Sequence, residues 1–251
     1  MGKITAIANQ KGGVGKTTSA INLAASLSMA GKRVLLIDTD PQGNSTSGLG
    51  IDKTTMESSL YDLYSGAKSI DEIILDTKLK NLKIISSNIE LIGAELELSN
   101  REGRELLLKT SLATIRDRFD YIYIDCPPSL SLLTLNALVA ADSLLIPMQC
   151  EFYALEGISM LMHTFELIKE SFNPELEIEG ILLTMFDNRV SLANQVKAEL
   201  TNHFGDKVYK TVIPRNITLA EAPSHGKSVI QYDMRSKGAQ SYWELAREIL
   251  G

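Results

Sequence analysis

The chain contains few of the residues on which metal-bound and disulfide-stabilised proteins depend. Its 251 residues include only two cysteines, three histidines and one tryptophan. Cys126 and Cys150 lie 24 residues apart, and neither has a cysteine or histidine at the spacing of a metal site. We interpret them as buried thiols of a reducing compartment, which argues against a disulfide framework or a structural metal.

The sequence also lacks a long hydrophobic run. No stretch of about 18 apolar residues occurs, and the first residues lead directly into a strand-like segment instead of a targeting sequence. Hydrophobic residues make up 44% of the chain, which is ordinary for a globular protein. We expect a cytoplasmic protein in which residues 1–251 form a single domain.

An overall excess of positive charge is missing as well. The net charge is −6, which argues against a protein that is always bound to nucleic acid. The charge is uneven, because residues 185–251 carry a net +2 and residues 1–184 a net −8. The last quarter of the chain is therefore the part that could meet a polyanion.

Short apolar segments alternate with segments of helical periodicity along the chain. We predict strands at Ile4–Ala8, Val34–Ile37, Leu82–Ile85, Tyr121–Ile124, Leu144–Ile146, Ile178–Thr184 and Val208–Ile213. The predicted helices are Thr18–Ala30, Arg104–Phe119, Ser131–Ala141, Ala154–Phe172, Ser191–Phe204 and Gln240–Leu250. Residues 43–75 are less regular and indicate loops with short helices. Apolar strands separated by helices predict an α/β fold with a mostly parallel, twisted sheet covered by helices on both faces.

A glycine-rich run follows the first predicted strand and precedes the first predicted helix. Its residues are Lys11, Gly12, Gly13, Val14, Gly15, Lys16, Thr17 and Thr18. Glycines let backbone N–H groups turn towards a polyphosphate, and the helix start adds a positive dipole end. The lysine before the threonines can reach the terminal phosphates, while the first threonine hydroxyl can bind Mg²⁺. The run is thus typical of a P-loop NTPase.

This loop departs from the usual P-loop pattern at its start. The pattern Gly-x-x-x-x-Gly-Lys-Ser/Thr requires a glycine at position 10, where this chain has Gln10. A second lysine, Lys11, stands next to it. Two lysines in one short loop indicate that an anion lies between their ammonium groups.

Aspartates follow two of the predicted strands. Asp38 and Asp40 come directly after Val34–Ile37, and Asp125 comes directly after Tyr121–Ile124. Ligands of open α/β sheets bind at the carboxyl ends of the strands. Mg²⁺ keeps most of its waters, so we expect Asp38 and Asp125 to contact magnesium through water.

Five segments together resemble the ParA/Soj ATPases, deviant Walker-type P-loop proteins that segregate bacterial chromosomes and plasmids. The segments are KGGVGKTT, LLIDTDPQGN, YIYIDCPPS, PMQCEFYALEG and VIPRNITLAEAPSHGK. The resemblance extends from Ile4 to Leu250 and is close to the chromosomal Soj branch. It implies ATP and Mg²⁺ as cofactors and an ATPase that is slow without its partners.

The resemblance implies a role for each matching residue of the nucleotide site. Lys11 would reach across an ATP-dependent homodimer to the phosphates of the partner's nucleotide. Lys16 and Thr17 would hold phosphate and Mg²⁺ within the same chain, Asp40 would orient the attacking water, and Asp125 would support the magnesium shell.

The same resemblance extends to the base of the nucleotide and to DNA. Pro214 and Asn216 fall in the segment that lies along adenine and ribose in this family. Arg189, Arg215 and Arg235 match positions that face nonspecific double-stranded DNA in relatives. The chain departs from many relatives at Thr218, where a basic residue is common. This loss of a phosphate contact is expected to flatten the salt dependence of DNA binding by about one unit.

The resemblance further implies a ParB/Spo0J-like centromere-binding partner that stimulates hydrolysis, and a protein associated with the nucleoid. Three other functions stay open. A membrane-associated division-site ATPase of the same subgroup needs a basic amphipathic C-terminal helix, whereas the last nine residues, before the final glycine, have two acids and one base. An iron-protein reductase needs a cluster-binding cysteine, and a metabolic ligase or kinase needs a substrate pocket.

Overall fold

A computed structural model describes residues 1–151 and 154–251. Within them, seven strands form one sheet in the order β3-β4-β2-β5-β1-β6-β7, with every neighbouring pair parallel except β3 and β4. The strands are β1 Lys3–Ile7, β2 Val34–Asp38, β3 Ile74–Asp76, β4 Leu82–Ile85, β5 Tyr121–Asp125, β6 Ser143–Gln149 and β7 Glu177–Thr184. The predicted α/β fold is confirmed. Phe152 and Tyr153, which belong to one segment of the resemblance, lie outside the described residues.

Helices cover both faces of this sheet. They are α1 Lys16–Met29, α2 Asn44–Gly48, α3 Leu60–Ser65, α4 Leu91–Glu97, α5 Leu107–Ala113, α6 Leu132–Ala140, α7 Ala154–Ser171, α8 Ser191–Phe204, α9 Ile217–Glu221, α10 Val229–Tyr232 and α11 Lys237–Leu250. Successive side chains of a strand point to opposite faces. Leu35 and Ile37 of β2 therefore pack with α3–α8, while Val34 and Leu36 pack with α1 and α9–α11.

The prediction of one helix over Arg104–Phe119 is wrong. The segment contains α5 between two short 3-10 turns, Arg104–Leu106 and Arg116–Arg118. Phe119 is already extended, with φ −118° and ψ 150°, and the next residue accepts a hydrogen bond from the first residue of β1 at 3.0 Å. The helix has to end early because the chain must enter the sheet.

The predicted strand Val208–Ile213 is also wrong. Only isolated bridges join this region to the sheet, between Ile181 and Val208 and between Phe186 and Pro214. The carboxylate of Glu248 in α11 accepts hydrogen bonds from the backbone N–H groups of residues 210 and 211, at 2.8 and 3.0 Å. Those donors are therefore not available for a continuous ladder.

The remaining differences are small. Helix α1 begins two residues before its predicted start and ends at Met29, with Ala30 as its C-cap. Gly31 follows the cap, and its φ of 86° suits a glycine at that position. Residues 43–75 hold the expected short helices, followed by the antiparallel edge strand β3, which the sequence pattern did not predict. In the described part of the chain, no helix has the length and apolar character required to cross a membrane.

Candidate nucleotide and anion site

The glycine-rich loop connects β1 to α1 at the carboxyl end of the sheet. Gly13 and Gly15 have φ values of 74° and 87°, in the left-handed region that residues with a side chain rarely adopt. Gly15 is the N-cap of α1, and no side chain caps the helix start. The first N–H groups of α1 thus point towards the loop and can bind an anion.

Two neighbouring strands hold this loop in place. The side-chain amide of Gln149, at the end of β6, donates to the carbonyl of Gly13 at 2.8 Å. The hydroxyl of Thr184, at the end of β7, donates to the carbonyl of Val14 at 2.7 Å. Both loop carbonyls are directed to the scaffold, which leaves the N–H groups for a ligand.

Lys16 lies inside this cradle. Its residue exposure is 7%, and its ammonium donates to the carbonyl of Lys11 at 3.2 Å. Burial lowers the pKa of Lys16, and the nearby carboxylates of Asp125 and Asp40 oppose that change. A phosphate group would supply the negative charge that favours the buried ammonium.

Lys11 is oriented differently. Its ammonium forms an ion pair with Glu151, and about half of each side chain is exposed. An exposed pair of this kind contributes about 0–1 kcal/mol to stability and is readily exchanged for another partner. The backbone N–H of Lys11 donates to Asn9 at 3.0 Å, so the backbone is fixed while the charged end remains accessible.

Asp38 and Asp125 face each other at the ends of β2 and β5, where they are register partners. Both residues are fully buried. Asp38 Oδ2 accepts hydrogen bonds from the backbone and hydroxyl of Thr46, at 2.8 and 2.7 Å, and Asp125 Oδ2 accepts one from the hydroxyl of Ser45 at 2.8 Å. Burial, and for Asp125 also the neighbouring Asp38, raises the pKa of both carboxyls.

One oxygen of this pair has no protein partner. Asp125 Oδ1 is buried without a hydrogen bond, and the hydroxyl of Thr17 is one of the groups that oppose the rise in the pKa of the same carboxyl. Leaving a buried carboxylate oxygen without a partner is costly. A hydrated cation between Thr17 and Asp125 would satisfy it, so the side chains fit a magnesium shell.

Asp40 is close enough to Lys16 and Asp125 for its charge to raise the pKa of both. It is half-buried, and its Oδ1 accepts the backbone N–H of Gln42 at 2.9 Å, while its own N–H donates to Asp38 at 3.2 Å. The hydroxyl of Ser87 holds the carbonyl of Asp40 at 2.6 Å. The backbone is fixed from both sides, which suits a residue that positions a small molecule.

Pro214 and Asn216 line a pocket of about 190 Å³ together with Gly15 and Thr18. The pocket is next to the start of α1, where the base of a nucleotide bound at the loop would lie. The side-chain oxygen of Asn216 is buried without a hydrogen-bond partner. A bound base with a hydrogen-bond donor is one way to satisfy that atom.

Two of the three predicted DNA-facing arginines, Arg189 and Arg215, line one surface concavity. Arg235 does not line it, but Lys237, two residues further along the chain, does. Arg189 makes a two-pronged ion pair with Asp187, at 2.9 and 2.7 Å. The bond to Arg189 holds the pKa of Asp187 at about 2.

Sequence reasoning missed several side chains around the nucleotide cavity. Ser45 and Thr46 hold the two buried aspartates, and their place directly after the LIDTDPQGN segment was an available signal. Glu151 is 140 residues from the lysine it pairs with, and no local pattern indicates such a contact.

Comparisons with known proteins identify similar sequences and structures. A family described as an AAA domain matches residues 2–178. The sequence is 56% identical over 249 residues to the sporulation initiation inhibitor protein Soj of Bacillus subtilis, covering 99% of this chain and 98% of Soj. It is 52% identical over 250 residues to the chromosome partitioning protein ParA of Myxococcus xanthus, covering 100% of this chain and 88% of that protein.

Solved structures are similar over the whole chain as well. A cobyrinic acid a,c-diamide synthase from Mycobacterium smegmatis with bound ADP and magnesium has a TM-score of 0.87 and 36% identity, covering 100% of this chain and 94% of that one. A second structure of that synthase contains an ATP analogue and magnesium.

Proposed function

The chain belongs to the Soj/ParA family of chromosome-partitioning ATPases, and on that basis we propose that it partitions DNA as an ATP-closed homodimer. ATP-dependent partitioning is the activity that the close relatives support. The proposal also includes dimerisation, DNA binding and stimulation of hydrolysis by a partner protein.

ATP and Mg²⁺ are the cofactors of this ATPase. The similar synthase structures hold ADP or an ATP analogue with magnesium. In this chain, the loop N–H groups and Lys16 would hold the phosphates, and Thr17 with Asp125 would hold the metal shell. When bound, magnesium neutralises charge on the phosphate oxygens. The carboxylate of Asp40, whose backbone is fixed by hydrogen bonds, would position the attacking water.

The observation that carries the proposed dimer is the outward position of Lys11. The side chain is half exposed and paired with Glu151 instead of lying in its own cradle. Gly12 follows, and a Cβ placed there would meet nothing within 4 Å. A second chain can therefore approach this loop closely, and Lys11 can exchange Glu151 for the phosphates of the partner's nucleotide. A cation supplied in this way accelerates hydrolysis by roughly 10³–10⁵.

A Lys11→Ala variant tests this role. We expect it to bind ATP, because Lys16 and the loop N–H groups remain, but to stay monomeric by light scattering and to hydrolyse ATP at least about 10³-fold more slowly under stimulating conditions. A Lys16→Ala variant is the matched control and should lose ATP binding itself. Dimerisation and hydrolysis of Lys11→Ala at the wild-type level would contradict the proposal.

DNA and a partner protein complete the proposed cycle. The dimer would hold nonspecific double-stranded DNA through Arg189, Arg215 and Arg235, and it would therefore be associated with the nucleoid in the cytoplasm. A ParB/Spo0J-like protein would then stimulate hydrolysis and release. DNA binding measured at one salt concentration with ATP, with ADP and without nucleotide tests this cycle. Only the ATP sample should bind tightly.

Three observations weigh against the other functions. The apolar face of α11, including Tyr242 and Leu245, is buried in the core, so it is not available to insert into a membrane. The thiol of Cys126 is buried and that of Cys150, predicted to be buried too, is half-buried; burial raises the pKa of both thiols, which disfavours the thiolate that a cluster needs. The synthase carries a metabolic name but is 36% identical, less than the 56% of Soj.

A further inference from the structure

The turn that carries Asp40 is bonded to the segment that follows β4. The turn runs from Asp40 to Gly43, and the N–H of Gly43 donates to the carbonyl of Asp40 at 2.8 Å. The hydroxyl of Ser87, two residues after the end of β4, donates to the same carbonyl at 2.6 Å. A carbonyl oxygen has two lone pairs, so both acceptor positions of this oxygen are occupied.

The backbone of Ser87 also lies directly against this turn. A Cβ placed on Gly43 would come within 2.7 Å of the carbonyl oxygen of Ser87, and the φ of Gly43 is 59°. Space and backbone conformation therefore both require glycine at this position. The turn and the segment after β4 can approach each other this closely only because residue 43 has no side chain.

A ring of hydrogen bonds joins the same residues. The backbone N–H of Ser87 donates to the hydroxyl of Thr46 at 2.9 Å, and that hydroxyl donates to Asp38 at 2.7 Å. Asp38 in turn accepts the backbone N–H of Asp40 at 3.2 Å. Ser87, Thr46 and Asp38 are fully buried, where a hydrogen bond is electrostatically stronger than in water. The ring thus holds Asp40 at both its backbone N–H and its carbonyl.

The turn also sets the orientation of the Asp40 carboxylate. Its Oδ1 accepts the backbone N–H of Gln42 at 2.9 Å, and its Oδ2 accepts no hydrogen bond from the residues that the structure describes. Oδ2 is therefore the oxygen that remains for the attacking water. Because a misplacement of about 1 Å in such a group can cost about 10²-fold in rate, the residues that fix the turn affect the chemistry.

We propose that Ser87 is a positioning residue for ATP hydrolysis. Its hydroxyl and its backbone hold the turn so that the carboxylate of Asp40 meets the attacking water, and Ser87 acts through Asp40 instead of on the nucleotide itself. The inference rests on the proposed function, because Asp40 has to be the residue that orients this water.

The test compares two adjacent serines that are both fully buried and both donate to a backbone carbonyl. Ser87 donates to Asp40, whereas Ser86 donates to Ser58 at 3.0 Å. Ser87→Ala and the matched control Ser86→Ala should therefore lower Tm by similar amounts. Single-turnover hydrolysis at saturating ATP and Mg²⁺ should fall about 10-fold or more for Ser87→Ala and less than about 2-fold for Ser86→Ala. The ATP affinity of both should stay within about 3-fold of the wild-type value, because the P-loop is unchanged.

A double-mutant cycle separates positioning from a general loss of stability. In an Asp40→Ala background the carboxylate is absent, so Ser87→Ala should slow the residual hydrolysis by less than about 2-fold. Ser87→Cys keeps the volume and a weak donor, and its rate should lie between those of the wild-type protein and Ser87→Ala. It also replaces the alanine variant in the cycle if that variant does not fold.

The outcomes separate the inference from the proposed function. Slow hydrolysis by Ser87→Ala, with no further effect in the Asp40→Ala background, supports Ser87 as a positioning residue. Wild-type hydrolysis by Ser87→Ala while Asp40→Ala is slow overturns the inference alone. An equal loss in the Asp40→Ala background, or an equal loss in Ser86→Ala, overturns it as well, because the effect is then one of stability. Wild-type hydrolysis by Asp40→Ala overturns the proposed role of Asp40 and the inference with it.

Discussion

Replacement of Gly12 by valine should leave the monomer stable and prevent the proposed dimer. Gly12 is exposed, its φ is not in the left-handed region, and a Cβ at this position would meet nothing within 4 Å. The side chain therefore adds no clash and no backbone strain to the monomer. We expect the free energy of unfolding to change by less than about 0.5 kcal/mol, which for a chain of this length shifts Tm by less than about 2 °C.

The neighbouring glycine provides the contrast. Gly13 has a φ of 74°, where a side chain costs about 1–2 kcal/mol. Gly13→Val should therefore lower Tm by several degrees and distort the cradle. Gly12→Val should bind ATP within a few-fold of the wild-type affinity, because the N–H groups of the loop are unchanged.

The dimer is the state that Gly12→Val should prevent. Two backbones that approach closely at a glycine have no room for two isopropyl groups. Light scattering with ATP should give twice the monomer mass for the wild-type chain and the monomer mass for the variant. Gly93→Val is a control in α4, where a Cβ meets only the end of a flexible side chain at 3.8 Å. A dimer of Gly12→Val with ATP would refute the close approach, and a large loss of Tm would refute the monomer geometry.

Three further predictions follow from the aspartates. Asp40→Ala should slow hydrolysis on the order of 10²-fold or more and leave ATP-bound dimer on DNA. Hydrolysis at the wild-type rate would show that Asp40 does not position the attacking water. The pKa values of Asp38 and Asp125 are raised in the fold, so the folded chain keeps their protons to higher pH than the unfolded chain does. The stability of metal-free protein should therefore fall as pH rises from 3.8 towards neutrality. Urea midpoints measured over this range should fall less for Asp125→Asn than for the wild-type protein. An equal fall would show that Asp125 does not cause the pH dependence. Asp187→Asn should release Arg189 from its ion pair, tighten DNA binding and steepen the salt slope by up to about one unit. An unchanged slope, measured by fluorescence anisotropy, would show that Asp187 does not compete with DNA for Arg189.

The sequence was most informative where chemistry depends on adjacent residues. The P-loop needs glycines, a lysine and a threonine in one short run, so its position before α1 could be predicted. Asp38 and Asp125 could be assigned to one edge of the sheet because each ends an apolar strand. Continuous apolar segments and segments of 3.6-residue periodicity identified the α/β fold, because these patterns are also local.

Contacts between distant segments could not be predicted in this way. Val208–Ile213 has the composition of a strand, yet Glu248 takes two of its N–H groups from a helix 37 and 38 residues away. Glu151 meets Lys11 across 140 residues. Lys197 and Lys237 line the same concavity as Arg189 and Arg215. This proximity depends on how α8 and α11 pack, which no local sequence pattern predicts.

Pro214 and Arg215 line both the pocket assigned to the base and the surface concavity that contains Arg189. Nucleotide and DNA, bound as proposed, would thus meet at the same two residues, and no relay through the core would be needed for each to affect the other. Thermodynamic linkage makes such an influence mutual: the factor by which nucleotide tightens the hold on duplex is the factor by which duplex tightens the hold on nucleotide. DNA would in this way favour the nucleotide-bound state of the protein.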